Sequence, residues 1–197
     1  ADTHDYANLG NLYFRTGARA EAEAAYREAI HLDPRQAASH HDLAVVLRTL
    51  QRPDEAAEAL AHAVALKPDN SEYYYKLGSL ALERKQVQAA QQNLNSAIEL
   101  GTKNPYPYLF LGRLYQEQGE SEKALHHYTQ LLTSPTLNAD DRVRTQLKTY
   151  LQQIDHDEAR HEDRRRSDDV QRDDATSATF LGDLRDRHRS DDGDVSR

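Results

Sequence analysis

With cysteine absent, the side chains best equipped for chemistry in this chain are its 10 histidines and its 33 Asp and Glu carboxylates. A chain without thiols has no disulfide framework, no cysteine nucleophile and no cysteine-ligated zinc, and it leaves the redox compartment open between cytosol and periplasm. Two adjacent histidine pairs stand out, His40-His41 and His126-His127. Helix neighbours point about 100° apart, so neither pair presents both rings to one metal as an i, i+4 pair does. His40 is expected as a hydrogen-bonded core residue, and His126 and His127 are expected on a solvated helix face. The carboxylates fall on outward helical positions or in the C-terminal tail, and no two are set apart as an acid and a base. The 8 glycines are scattered, with no Gly-rich run opening a helix to cradle a phosphate. No catalytic set, metal site or cofactor site emerges, and the chain is expected to be non-enzymatic.

Charge and hydropathy narrow the partners. The 25 Lys and Arg against 33 Asp and Glu leave a net charge of -8, the wrong sign for nucleic acid as the main partner. No window approaches the ~18 consecutive apolar residues that cross a bilayer, so a soluble chain without membrane insertion is expected.

The elements that position any site come from an internal repeat. Leu9-Gly10, Leu43-Ala44, Leu77-Gly78 and Leu111-Gly112 are spaced by 34 residues each time. The same step links Ala22, Ala56, Ala90 and Ala124, then Tyr26, Leu60, Leu94 and Tyr128, then Ile30, Val64, Ile98 and Leu132. Each unit reads as two helices. In the first, Tyr6, Leu9, Gly10 and Tyr13 keep helical spacing, Thr16-Gly17 breaks it, and Ala22, Ala25, Tyr26, Ala29 and Ile30 resume it as far as Asp33-Pro34. Proline lacks an amide hydrogen and disfavours a helical residue before it, so Pro34 and Pro68 end second helices. Small residues fall where the two helices of a unit cross, letting the backbones approach while large neighbours interlock.

Period and small-residue positions together resemble the tetratricopeptide repeat, a 34-residue helix-turn-helix. The resemblance covers residues 3–138 in four units, 3–36, 37–70, 71–104 and 105–138. It implies an all-α, right-handed α–α superhelix. His40, Ala81, Leu131, Thr102 and Thr136 depart from the pattern. Residues 139–155 are expected to form a capping helix, started by Asp140 and Asp141 and carrying Val143, Leu147, Leu151 and Ile154 as one apolar stripe. No comparable cap precedes Thr3, so the first unit either tolerates an exposed face or is the end of a longer array. Residues 156–197 hold 13 Asp and Glu and 9 Arg with five large apolar residues. That composition cannot offset its ordering entropy by burial. A charged, disordered tail is expected there, with helix persisting at most to Arg166.

The family's first helices line a concave groove, and the resemblance implies that the second, fifth, sixth, ninth, twelfth and thirteenth positions of each unit face it. The candidate ligand-binding set drawn from those positions is Asn8, Asn11 and Arg15, then His41, Asp42 and Val45, then Tyr75, Lys76 and Ser79, and finally Phe110 and Arg113. Aromatic residues supply anchoring pockets, and amides and charges pair a peptide backbone. The family's carboxylate clamp for chaperone C-termini needs donors where this chain has Asp42 and Glu72, which speaks against that co-chaperone role. The Asn ladder of sugar transferases survives only at Asn8.

The favoured reading is a module that binds a peptide or helix of a protein partner in the groove, as a scaffold or assembly factor. One alternative is a self-associating scaffold, a homo-oligomer formed through the uncapped first repeat. The other is the repeat portion of a larger enzyme such as a glycosyltransferase.

Overall fold

The 34-residue sequence period becomes a period of helix pairs. The computed structural model describes residues 2–134, 136–137 and 140–191, with side chains as far as 167 except at 158. Among the described residues there are helices and no strands. The pairs are α1 (Thr3–Thr16) with α2 (Arg19–Leu32), α3 (Ala37–Thr49) with α4 (Pro53–Leu66), α5 (Ser71–Glu83) with α6 (Val87–Glu99), and α7 (Tyr106–Glu117) with α8 (Ser121–Thr133). A last helix, α9 (Asp141–Asp191), follows. The chain divides into two units, residues 1–148 and 149–197. Within the first, each helix packs on the next along the chain, from α1 through α8. This is the nearest-neighbour order of the expected all-α solenoid.

Local sequence explains the ends of the helices. Asp2 and Asp5 form a reciprocal capping box at the start of α1, each carboxylate accepting the other's backbone N–H at 2.9 Å. Asn70 caps α5 by accepting the Glu72 N–H at 3.0 Å, and Asp140 caps α9 by accepting the Val143 N–H at 2.8 Å. Pro53 opens α4, where a missing N–H costs nothing. Between the helices of every pair, one residue at the same point of the period takes positive φ: Gly17 (84°), Gln51 (59°), Lys85 (57°) and Gly119 (77°). An L-residue with a side chain pays about 1–2 kcal/mol in that region, so at Gln51 and Lys85 the packing of the pair imposes the turn. Thr102, standing where proline is expected, is buried and accepts the Asn104 N–H at 3.1 Å. His40 is the core histidine anticipated, its Nε2 lying 2.9 Å from the Pro34 carbonyl.

The core is built on the crossing inside each pair. A Cβ added at Gly10 would lie 2.7 Å from Tyr26 Cε1, at Gly78 2.8 Å from Leu94 Cγ and at Gly112 2.2 Å from Tyr128 Cε1. The rings of Tyr26 and Tyr128 lie against bare backbone, and their hydroxyls reach past it. Tyr26 donates to Asn11 Oδ1 at 2.9 Å, and Tyr128 donates to Gln116 Oε1 at 3.1 Å. Burial, with the Asp42 charge adding to it, pushes the Tyr26 phenol up to about 12. Ion pairs stitch successive pairs together. Arg52 bonds Glu23 at 2.7 Å and Glu55 at 2.6 Å, Arg27 reaches Glu55 at 3.3 Å, and Arg84 meets Asp54 at 2.5 Å.

At the C-terminal end, Val143 and Leu147 are buried within the first unit. The covering is incomplete, because Leu125 and Leu132 of α8 remain exposed. In the second unit Ile154 is buried and Leu151 half-buried, whereas every described side chain of residues 155–167 is exposed. The backbone nevertheless continues as helix to Asp191, farther than the expected limit at Arg166. Within its described side chains, local pairs join Arg160 to Asp157 (3.5 Å) and Arg166 to Glu162 (3.9 Å). Residues 192–197 of the expected tail lie outside the described residues.

Candidate functional site

The candidate residues sit on the first helices of the four pairs, and the structure draws them together unevenly. In α1, Asn8, Asn11 and Arg15 are exposed, and Asn11 is held by the Tyr26 hydroxyl. In α3, His41 and Asp42 are half-buried and bonded to each other, Nδ1 to Oδ1, at 2.9 Å. The His41 ring stacks on Tyr73 at 5.2 Å, while its Nε2 is buried without a partner. Val45 is half-buried beside them in sequence, at the next groove position.

The concentrated part lies on α5 and α7. Tyr75 stacks on Phe110 at 6.5 Å and on Tyr106 at 6.4 Å, and Tyr106 meets Phe110 at 5.8 Å. Three rings from two successive units thus form one half-buried patch at the separations aromatic pairs favour. Burial raises the Tyr75 phenol, with the Glu72 charge and Tyr106 adding to it, so the ring stays neutral at any physiological pH. Beside the rings opens a recess of about 560 Å³ lined by Ser79, Leu82 and Glu83 of α5, Lys85 and Val87 beyond it, and Phe110, Arg113, Leu114 and Glu117 of α7. Three residues of the candidate set, Ser79, Phe110 and Arg113, share this one cavity. Its floor is apolar and its rim carries both charges, which suits a side chain with a hydrophobic body and a polar end.

The cations expected to greet a ligand are already engaged. Lys76 Nζ lies 3.1 Å from Glu72 and 5.1 Å from the centre of the Tyr75 ring. Arg113 Nε donates to Glu117 at 2.8 Å, and Arg48 meets Glu83 at 3.1 Å. Such partly exposed pairs are worth little in water, so a ligand group of either sign can exchange into them at small cost. Tyr106 and the cavity walls Lys85, Val87 and Leu114 stand outside the candidate set. Leu114 reads in sequence as a packing position, and Val87 and Lys85 read as helix-start and turn residues. Only folding brings them to the recess.

Of the second histidine pair, His126 is exposed as expected, and His127 is not. His127 is half-buried, its ring parallel to Tyr115 at 5.5 Å, with Nδ1 and the neighbouring Gln130 Oε1 both buried and unpartnered. The other units carry Ala25, Ala59 and Asn93 at this position, so sequence spacing alone gives no sign that a ring fits there. Among the described residues no group of three His, Cys, Asp or Glu side chains is placed to hold a metal. No described helix is long and apolar enough to cross a membrane.

Comparison with known proteins fits this geometry. Three tetratricopeptide-repeat profiles match, at residues 8–80, 71–101 and 108–143. Over 83 residues the chain is 33% identical to the type IV pilus assembly protein PilF of Pseudomonas aeruginosa, a match covering 42% of this chain and 33% of that protein. Over 82 residues it is 33% identical to the TPR repeat-containing thioredoxin TTL4 of Arabidopsis thaliana, covering 42% of this chain and 12% of that one. The match spans a third or less of the length of these curated relatives. Among solved structures, MamA superposes with a TM-score of 0.61 at 24% identity, over 78% of this chain and 96% of its own. The Pseudomonas aeruginosa PilF structure gives 0.67 at 24%, over 78% and 69%. The first repeat domain of Spaghetti, solved bound to an HSP90 peptide, gives 0.57 at 21%, over 60% and 94%. At these identities the structural likeness is one of fold. Across residues 8–101 and 108–143 the chain belongs to the tetratricopeptide-repeat family.

Proposed function

We propose that this chain is a protein-interaction scaffold whose groove takes a peptide or helix of a partner protein, anchored on the α5–α7 part. The observation that carries the reading is the patch of Tyr75, Tyr106 and Phe110 beside an open, apolar-floored recess. Rigid aromatic side chains at the centre of a concavity are where binding energy concentrates. A domain of the same fold solved with a peptide lends support to the mode. Asp42 and Glu72 sit where a carboxylate clamp needs donors, so the ligand is expected to carry a basic residue near its middle rather than to end on a clamped carboxylate.

The test is capture of partners on the full chain, followed by titration of the captured protein. Tyr75→Ala and Phe110→Ala are each expected to weaken binding by more than ~1 kcal/mol, and outward changes such as Glu58→Ala to do little. Affinity is expected to fall as salt rises. Binding that survives both aromatic substitutions, or that maps to the second helices, rejects the groove.

A further inference from the structure

His40 stands where the other three units carry Tyr6, Tyr74 and Tyr108, and the groove makes no use of it. Its Nε2 lies 2.9 Å from the Pro34 carbonyl oxygen, an atom that can only accept. The proton of the neutral ring therefore sits on Nε2, and Nδ1 is left with a bare lone pair. The residue is 9% exposed and lines a recess of about 360 Å³ between α2, α3 and α4. Ile30, Leu43, Leu47 and Ala59 give this recess apolar walls. On α4, Glu58 and His62 stand one turn apart on one face, and the His62 ring lies 5.3 Å from that of His40. The neighbouring charges are already paired. Arg27 bonds Glu23 at 2.9 Å and Glu55 at 3.3 Å, Glu55 also takes Arg52 at 2.6 Å, and His31 lies 3.9 Å from Glu28. Among the described residues the Glu58 carboxylate has no such partner. No other unit repeats the set: the positions of Glu58 and His62 hold Ala24 and Glu28, Gln92 and Ser96, and His126 and Gln130.

We propose that this recess binds a primary ammonium on a short aliphatic stem, the chemistry shared by a lysine side chain and a free alkyl amine. An ammonium carries three donors and no acceptor. His40 Nδ1 takes one of them, Glu58 takes a second in a charge-assisted bond, and the third stays with water. The methylenes of the stem lie against Ile30, Leu43, Leu47 and Ala59, so one end of the ligand is desolvated and the other remains wet. Tyrosine at position 40 would offer no ring nitrogen, which is why the site belongs to the second unit. A recess of this size suits one side chain or one small amine. The net charge of -8 on the chain favours the approach of a cation. Its walls come from α2 and α4 as well as α3, so it stands or falls independently of the groove on α5 and α7.

The experiment is titration of the full chain with n-butylamine hydrochloride, followed by NMR of the backbone amides and the imidazole nitrogens. The free protein should show His40 as the Nε2–H tautomer, and the amine should cause saturable shifts at His40, Leu43 and Glu58. n-Butanol, of the same length but without charge, should bind at least ~3-fold more weakly, the worth of one partly exposed charge contact. Glu58→Lys, at an exposed position, should abolish saturation and leave the helical spectrum unchanged. His40→Tyr, which restores the residue of the other units, should do the same. Absence of saturable amine binding overturns the proposal, as does an Nδ1–H tautomer of His40. Equal binding of n-butanol, or amine binding that survives Glu58→Lys, also overturns it. Tyr75→Ala should leave the titration unchanged, and loss of amine binding there would move the amine to the groove and reject this site. A last arm separates the two sources: Nα-acetyl-lysine methylamide binding tighter than n-butylamine assigns the recess to a lysine of a protein, and weaker or equal binding assigns it to a free amine.

Discussion

Gly112→Ala tests the crossing that builds each pair. In an exposed helix interior this change gains about 1 kcal/mol, because alanine loses less backbone freedom on folding. Here the new methyl would meet Tyr128 Cε1 at 2.2 Å, Cδ1 at 2.6 Å and Cζ at 2.8 Å. Tyr128 is fully buried and its hydroxyl is tied to Gln116, so the ring has nowhere to move without opening α7 from α8. Overpacking of this kind costs about 1–3 kcal/mol, and a contact this short belongs at the upper end. The net expectation is a loss of about 2 kcal/mol in urea unfolding followed by helical circular dichroism. The chain carries its own control: the second unit pairs Ala44 with Leu60 at the same two positions, both buried. Tyr128→Leu alone should cost about 1–2 kcal/mol through lost ring burial and a lost hydrogen bond. In the double variant the two changes should compensate by at least ~1 kcal/mol. Strict additivity, or a Gly112→Ala protein more stable than wild type, would show that the tyrosine does not fix the helix separation.

Three further outcomes follow from the packing. Burial, helped by the His126 charge, holds the His127 imidazole down at about 4 against an ordinary 6.5. The unfolded chain therefore takes the proton first, and stability present above pH 6.5 is lost as pH falls toward 4. That interval is worth at most about 3 kcal/mol, and partial exposure of the ring reduces it to about 1–2 kcal/mol. His127→Asn should lose that much less on acidification, and equal acid losses in the two proteins would refute the assignment. Leu147→Ala is expected to cost about 2–4 kcal/mol, whereas ending the chain after Arg166 should change stability by less than about 0.5 kcal/mol, both read by thermal unfolding. Arg52→Gln, which cuts one guanidinium from two carboxylates, should lower the melting temperature at low salt, with the difference shrinking as salt rises.

The period was legible because it is carried by steric necessities: a bare backbone at Gly10, Gly78 and Gly112 under a large residue, and a proline at Pro34 and Pro68 that no helix continues through. Positions decided by a neighbouring unit were harder to read. Gln51 and Lys85 adopt left-handed backbone because the pair packs that way, and neither residue type announces it. His127 finds an aromatic partner across the pair, a contact that depends on Tyr115 standing 12 residues away in sequence. The tail was read from composition, which reports the absence of a core but does not fix where a helical backbone stops. Of the groove, the sequence placed Tyr75 and Phe110 one unit apart. It could not place Lys85, Val87 and Leu114, because walls from three segments meet only after the superhelix winds.

The tyrosine hydroxyls tie the interior of the array to the proposed groove. In the first and last units the buried ring ends on an amide, Asn11 or Gln116, that stands at one of the proposed groove positions. In the middle units the corresponding buried residue is Leu60 or Leu94, which asks nothing of the surface, and the same groove positions hold Val45 and Arg48 or Ser79 and Leu82. Drift in ligand preference is therefore unequal along the array. The middle units can exchange groove residues freely, while the outer two must keep an acceptor within reach of a phenol or give up the phenol as well, so new specificities should arise first in the interior units.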